Sequence, residues 1–256
     1  MCPVTVFEQD GFDLRVEWGL DGVRALGPHC AVLVIVDVLV FSTTVNVAVE
    51  QGARVLPLPW RDERAAEVAG AAGATLIPTG LVNLAGQPTA TSDPGWTLRP
   101  SSLAGSVPAG TFLAISSANG SHLSAAAAES GATVLAGCLR NASAVAAKAV
   151  ELAGDGPIGV VAAGERWKNG DTLRPAIEDY LGAGAIVAAI TGRTTPSPEA
   201  TLAALTYRTA QVAELVTDSI SGRELAVAGV PKDVALATEI DVSTAVPVLT
   251  DGVYEQ

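Results

Sequence analysis

Aromatic residues make up only 4% of the 256-residue chain, so an interior fed by 49% hydrophobic residues has to be built from Ala, Val, Leu and Ile. Such a mixture suits helices laid on a buried parallel sheet. Basic residues are scarce as well, since 15 Lys and Arg stand against 27 Asp and Glu for a formal charge of -12. Binding to a phosphate backbone draws its affinity from clustered cations, which excludes nucleic acid as a partner. The want of any basic run excludes an anionic membrane surface too. Lysines are confined to Lys148, Lys168 and Lys232. The other cations are arginines, whose planar fork suits a phosphate or sulfonate. Cys2, Cys30 and Cys138 are odd in number and include no Cys-x-x-Cys pair. They point to neither a disulfide framework nor a zinc site, and to a cytoplasmic setting. No apolar run approaches the ~18 residues of a membrane span, and Met1 to Asp10 carries no basic or apolar leader pattern. His29 and His122 stand alone, and Ser121 and His122 are neighbours in sequence where a triad needs neighbours in space, so both histidines read as non-catalytic.

What the chain does have is rhythm. Short Val, Leu and Ile runs at 31–36, 54–58, 111–116, 133–136 and 158–162 predict strands. They alternate with helix-length segments at 42–51, 61–72, 121–130 and 141–153, an order that predicts a mainly parallel sheet with helices on its faces. Pro78 to Pro108 breaks the rhythm and predicts a long loop. From Leu173 onward helices dominate, at 173–190, 198–216 and 221–228, followed by a strand at 246–249 and an Asp251-Gly252 turn. One domain over 1–256 is expected, with a C-terminal helical layer from about residue 173 that is partly separate. Gly182-Ala183-Gly184 lies inside a helix and follows no strand, so close helix packing explains it better than a dinucleotide fingerprint.

Four segments carry chemistry. In Ala31 to Thr44 the carboxylate of Asp37 interrupts an apolar run, which places it at the carboxyl end of a strand for metal or proton work, or else for structural bonding to loop N–H groups. Ser42, Thr43 and Thr44 then open a helix, either capping it or helping to hold an anion. Ser116-Ser117-Ala118-Asn119-Gly120-Ser121 is a strand-to-helix turn able to cradle phosphate, although Asn-Gly is also an ordinary turn dipeptide. Arg140 and Asn141, again between strand and helix, fit an anion contact and a plain N-cap equally well. The fourth segment holds Glu165 and Arg166 after a strand, then Glu178 and Asp179 after Pro175, which marks a helix start. Magnesium takes one or two carboxylates plus water and phosphate oxygens. Glu165 meets that need, whereas Glu178 and Asp179 could instead favour the helix dipole or pair with Arg166 or Arg174.

In this order the segments Trp18 to Val23, Val36-Asp37-Val38-Leu39, Asn119-Gly120-Ser121, Arg140 to Val145, Ala163 to Trp167, Glu178 to Ile186 and Ser221 to Leu225 resemble the 2-phosphosulfolactate phosphatase family of coenzyme M biosynthesis. The resemblance covers nearly the whole chain. It implies a three-layer α/β/α phosphatase that needs Mg2+ and hydrolyses a small anionic phosphate ester. It makes Asp37 and Glu165 the catalytic carboxylates and Asp37, Glu165, Glu178 and Asp179 the metal set. Ser42, Thr43, Ser117, Asn119, Gly120, Ser121, Arg140, Asn141 and Arg166 are then expected on the substrate. Two departures stand out: Val40 where many members carry Arg, and Ala118 where the turn usually has Pro. A phosphatase for another small organic phosphate and a non-catalytic anion-binding protein remain alternatives. The assembly is left open between one chain and a homodimer.

Overall fold

In a computed structural model the described residues are 6–78, 95–168, 170–192 and 195–256. The architecture grows from β2 (Val32–Val36), five apolar residues that are all buried. It lies between β7 (Ile158–Ala162) and β6 (Thr133–Gly137), with Val34 opposite Val160 on one side and Leu135 on the other, both ladders parallel. β1 (Leu14–Trp18) extends the block beyond β7, also parallel. Because successive side chains leave a strand on opposite faces, β2 feeds two cores. Val32, Val34 and Val36 join one cluster with α6 (Ala142–Ala153), α7 (Ile177–Ala189) and α8 (Pro198–Thr209). Leu33 and Ile35 join the other, with α1 (Gly19–Leu26), α2 (Phe41–Glu50) and α5 (Gly120–Ala128). These are the three layers, each apolar side chain so buried stabilising the fold by ~1.5–3 kcal/mol.

A second block holds β3 (Arg54–Leu58), β5 (Phe112–Ser116) and β4 (Thr75–Ile77), mutually parallel and covered by α3 (Glu63–Ala72). The hairpin of β10 (Val248–Thr250) and β11 (Val253–Glu255) joins the blocks, so that nine described strands run β1-β7-β2-β6-β10-β11-β3-β5-β4. Asp251 and Gly252 both take positive φ, 49° and 80°, as the expected tight turn requires. All three ladders across the hairpin are antiparallel, and the one to β3 is a single pair, Tyr254 with Val55. In a flat sheet the loops after β2 and β5 would then lie at opposite edges. They meet instead, Gly120 N–H reaching Asp37 at 2.8 Å, so the sheet turns at the hairpin.

Elsewhere the fold departs from the sequence-based expectation for local reasons. Leu173 and Arg174 are not helical but form β9 (Leu173–Arg174), paired with β8 (Glu165–Arg166), because Pro175 denies its predecessor the helical region. The segment expected as one helix over 198–216 breaks at Ala210 into α8 and α9 (Val212–Asp218), after Thr206 and Thr209 turn their hydroxyls back onto carbonyls four residues earlier. β1 went unpredicted because Arg15 and Glu17 disguise it. Arg15 is nonetheless buried, donating to the Phe12 and Glu8 carbonyls. Of the expected loop at 78–108, residues 79–94 lie outside the described part, and its far end contains α4 (Pro100–Leu103). Two further helices follow α9, α10 (Ile220–Val227) and α11 (Pro231–Ala237). Gly182 and Gly184 do serve close packing. A methyl on Gly182 would come within 2.6 Å of Val38 on the β2 side, and one on Gly184 would strike the Ala203 carbonyl of α8.

Candidate active site

Asp37 stands immediately after β2, with only 6% of its surface exposed. Its backbone N–H donates to Ser42 Oγ at 3.0 Å, and that hydroxyl donates onward to the Ile35 carbonyl, which locks the strand-to-helix turn. The carboxylate accepts from Phe41 N–H at 3.2 Å through Oδ1 and from Gly120 N–H at 2.8 Å through Oδ2. Those two donors do not offset what burial does. Desolvation, reinforced by the negative charges of Glu165 and Glu178, pushes the Asp37 carboxyl up to about 7.

Asp179, in the first turn of α7, is buried behind it. Oδ1 accepts from Val38 N–H and Oδ2 from Gly164 N–H, each at 2.8 Å, so one side chain ties the loop after β2 to the loop after β7. Burial and the neighbouring Asp37 and Glu178 hold it well above the ordinary carboxylate range. Glu178 is 1% exposed, and its Oε2 has no hydrogen-bond partner among the described residues. Glu165 accepts from Asn119 Nδ2 at 3.0 Å. Its carboxyl is raised by burial, against the pull of that bond and of Arg174. Arg174, buried and donating to Ser221 Oγ at 3.1 Å, is the cation whose charge bears on Glu165.

Asp37 and Glu165 open onto a cavity of about 460 Å³, lined also by Ser117 and Asn119 and by the cations Arg61, Arg99 and Lys168. Asn119 and Glu165 also line a neighbouring cavity of about 430 Å³, whose wall includes Arg166. Val40, at the position where Arg was expected, lines the first cavity. The other anticipated contacts are spent inside the protein. Thr43 Oγ1 donates to the Val38 carbonyl, Ser121 Oγ to that of Ile115, and Asn141 Nδ2 to that of Ala245. Gly120 contributes its N–H to Asp37. Arg140 is held by Glu239, by Glu50 at 3.4 Å and by Asn46 at 3.3 Å, and lines neither cavity. Arg166, exposed, pairs with Asp171. Arg61, Arg99 and Lys168 were missed; the only signal for Arg99 is an Arg-Pro pair at a helix start inside an aperiodic stretch. Glu8, Asp10 and His29 bring ligand atoms within 4.8 Å of one another but line neither cavity.

A ligand-sized cavity beside the carboxyl ends of parallel strands, acidic where those strands end and rich in arginine elsewhere, marks an α/β/α enzyme for a small anionic molecule. The family model described as 2-phosphosulpholactate phosphatase matches residues 24–252. The chain belongs to that family, and with it to the phosphoric monoester hydrolases that act on a small phosphate ester. The match takes in every residue of the cavity described above. No helix among the described residues is long and apolar enough to cross a membrane.

Proposed function

We propose that the chain hydrolyses a small phosphate monoester bearing further acid groups, of the 2-phosphosulfolactate kind, with Mg2+ held at the carboxylate set. The observation that carries this reading is the cluster of Asp37, Glu178 and Asp179, all buried, with the half-buried Glu165 beside them and the charge of Arg174 bearing on Glu165. Uncompensated carboxylates at such depth are costly, and a divalent cation is the group that offsets them. The donor set fits: hard oxygens throughout, one of them, Glu178 Oε2, buried and without a partner. Asp37 and Glu178 would hold the ion, with Asp179 setting the loops around it. When bound, Mg2+ supplies neutralising charge for the transferring phosphoryl group and lowers the pKa of water.

The remaining work falls to the chain's own groups. Ser117 and Asn119 line the cavity where the phosphoryl oxygens come to rest. Glu165, oriented by Asn119, takes a proton from the attacking water as the new O–P bond forms, its raised carboxyl pKa bringing it toward working pH. The P–O bond to the alcohol breaks, and the alcohol leaves with a proton from solvent at the cavity mouth. The test is phosphate release from a panel of small esters with Mg2+ and with chelator. Release that depends on magnesium supports the reading. Anion binding without release from any ester would make the chain an anion-binding protein instead.

A further inference from the structure

Arg99 lies immediately before α4 and is 6% exposed, yet it lines the same cavity as Asp37. Its guanidinium makes no hydrogen bond among the described residues. Nε is sealed from solvent without a partner among them, and the one charge pairing among the described residues is loose, Arg99 Nη1 to Asp233 at 3.7 Å. Asp233 is itself 0% exposed; its Oδ1 is taken by Ser101 N–H at 3.0 Å and its Oδ2 has no hydrogen-bond partner. A buried guanidinium with five donors and no acceptor is an expensive arrangement unless something else fills it. Burial pulls the pKa of Arg99 down, and the charge that opposes this is that of Asp233. Arg99 therefore belongs to a different electrostatic neighbourhood from the carboxylate quartet, although both face one cavity.

Lys168, by contrast, is exposed and closed onto Glu224 at 2.7 Å. Arg61 is exposed, and a solvated cation at the rim discriminates little. Nothing of the kind applies to Arg99. Its stem is fixed by burial, so a planar fork is held ready for a planar or tetrahedral acid. We infer that Arg99 is the specificity residue of the site, taking the substrate's second acid group, a carboxylate or sulfonate, while the phosphoryl group goes to the quartet. The inference rests on the phosphatase reading above. Asp233 is a positioning residue within it: set too far off to hydrogen-bond, it balances the guanidinium's buried charge and leaves the fork open. The discrimination comes from desolvated, charge-assisted bonds that a neutral-tailed ester cannot make.

Two measurements test this. First, kcat/KM is compared for phosphosulfolactate and a neutral-tailed phosphate ester. The native preference, at least about tenfold, should collapse toward one in Arg99→Gln, with the change carried by KM. Arg99→Gln leaves Asp233 buried without its cation, so the double variant Arg99→Gln with Asp233→Asn, neutral on both sides, is run beside it and should lose the preference in the same way. Second, titration calorimetry with sulfolactate and with the uncharged alcohol of the neutral-tailed ester reads recognition without turnover. Native protein should favour sulfolactate by a similar factor and the double variant should not. An undiminished preference in both variants overturns the inference. So does an equal fall for both esters, carried by kcat, which would place Arg99 on the phosphoryl group. Should the native protein release no phosphate from any ester, the phosphatase reading fails, and the calorimetric arm still decides Arg99.

Discussion

Asp37→Asn should stabilise the cation-free protein at neutral pH while stopping its chemistry. Burial, with Glu165 and Glu178 behind it, lifts the carboxyl from its ordinary 3.8 to about 7. At 1.36 kcal/mol per pKa unit, keeping Asp37 ionised inside the fold costs about 4 kcal/mol. Asparagine removes that cost, but its NH2 group must face one of the two donors, Phe41 N–H or Gly120 N–H, a mismatch of about 1–3 kcal/mol. The surplus favours the variant by about 1–3 kcal/mol. At roughly 2–4 °C per kcal/mol for a chain of this size, its Tm should rise by several degrees at pH 8 in chelator. The sign follows from linkage. A carboxyl whose folded pKa is raised binds its proton more tightly in the fold, so its contribution is full below 3.8 and lost as pH rises through about 7. The advantage of the variant should accordingly be gone at pH 4.5. Adding Mg2+ at pH 8 should reverse the order, since only native protein gains from binding. Activity should fall ~10²-fold or more. Calorimetric melts of both proteins at the two pH values, with and without metal, give the answer. A variant less stable than native at pH 8 in chelator, or an equal gain at both pH values, would refute the reasoning.

Gly120→Ala should abolish activity and also lower the Tm, because a methyl there overlaps the buried Phe41 ring, an overpacking that costs about 1–3 kcal/mol, and comes within 2.8 Å of Asp37 Oδ2; the measurement is kcat beside a thermal melt. Arg140→Ala should cost about 1–3 kcal/mol of stability, read by denaturant unfolding, mostly from the lost packing of its buried stem and the freed Asn46, since Glu50 and Glu239 are partly solvated. The ratio of kcat/KM between a two-acid and a neutral-tailed ester should stay as in native protein, and a collapse of that ratio would return Arg140 to the substrate.

How far the site could be read in the sequence depended on whether its signal was local. Asp37 was legible because a carboxylate directly after a five-residue apolar strand, with more apolar residues beyond it, violates the pattern around it. The placement of Glu178 and Asp179 in the first turn of a helix followed from Pro175. Arg140 is the opposite case. In sequence it sits between a strand and a helix, as an anion ligand would, and what claims it are Glu50 and Glu239, 90 and 99 positions away. Arg99 shows the same blindness in reverse: its surroundings have no period, and its worth lies in partners it does not have. Apart from β1 and α1, the strands and helices of the parallel block were legible from period alone. The joining of the two blocks was not, since it depends on a hairpin at the far end of the chain.

That hairpin carries the last step from fold to site. Tyr254 is fully buried, packs edge-on to Phe41 with ring centroids 6.3 Å apart, and shares a hydrogen bond of 2.8 Å with Ser124 Oγ. Phe41 is the first residue of α2 and donates its N–H to Asp37; Ser124 lies one turn along α5, whose first N–H also goes to Asp37. The side chain that fastens β11 into the sheet thus touches both helices whose starts hold the carboxylate. Antiparallel ladders alone would send the two blocks' loops apart. Tyr254, wedged behind both helix starts, fixes the turn of the sheet at the angle that brings Gly120 to Asp37. The acidity of the site is therefore set at the C-terminus of the chain as much as in β2, because Asp37 is buried only as long as the second block closes over it.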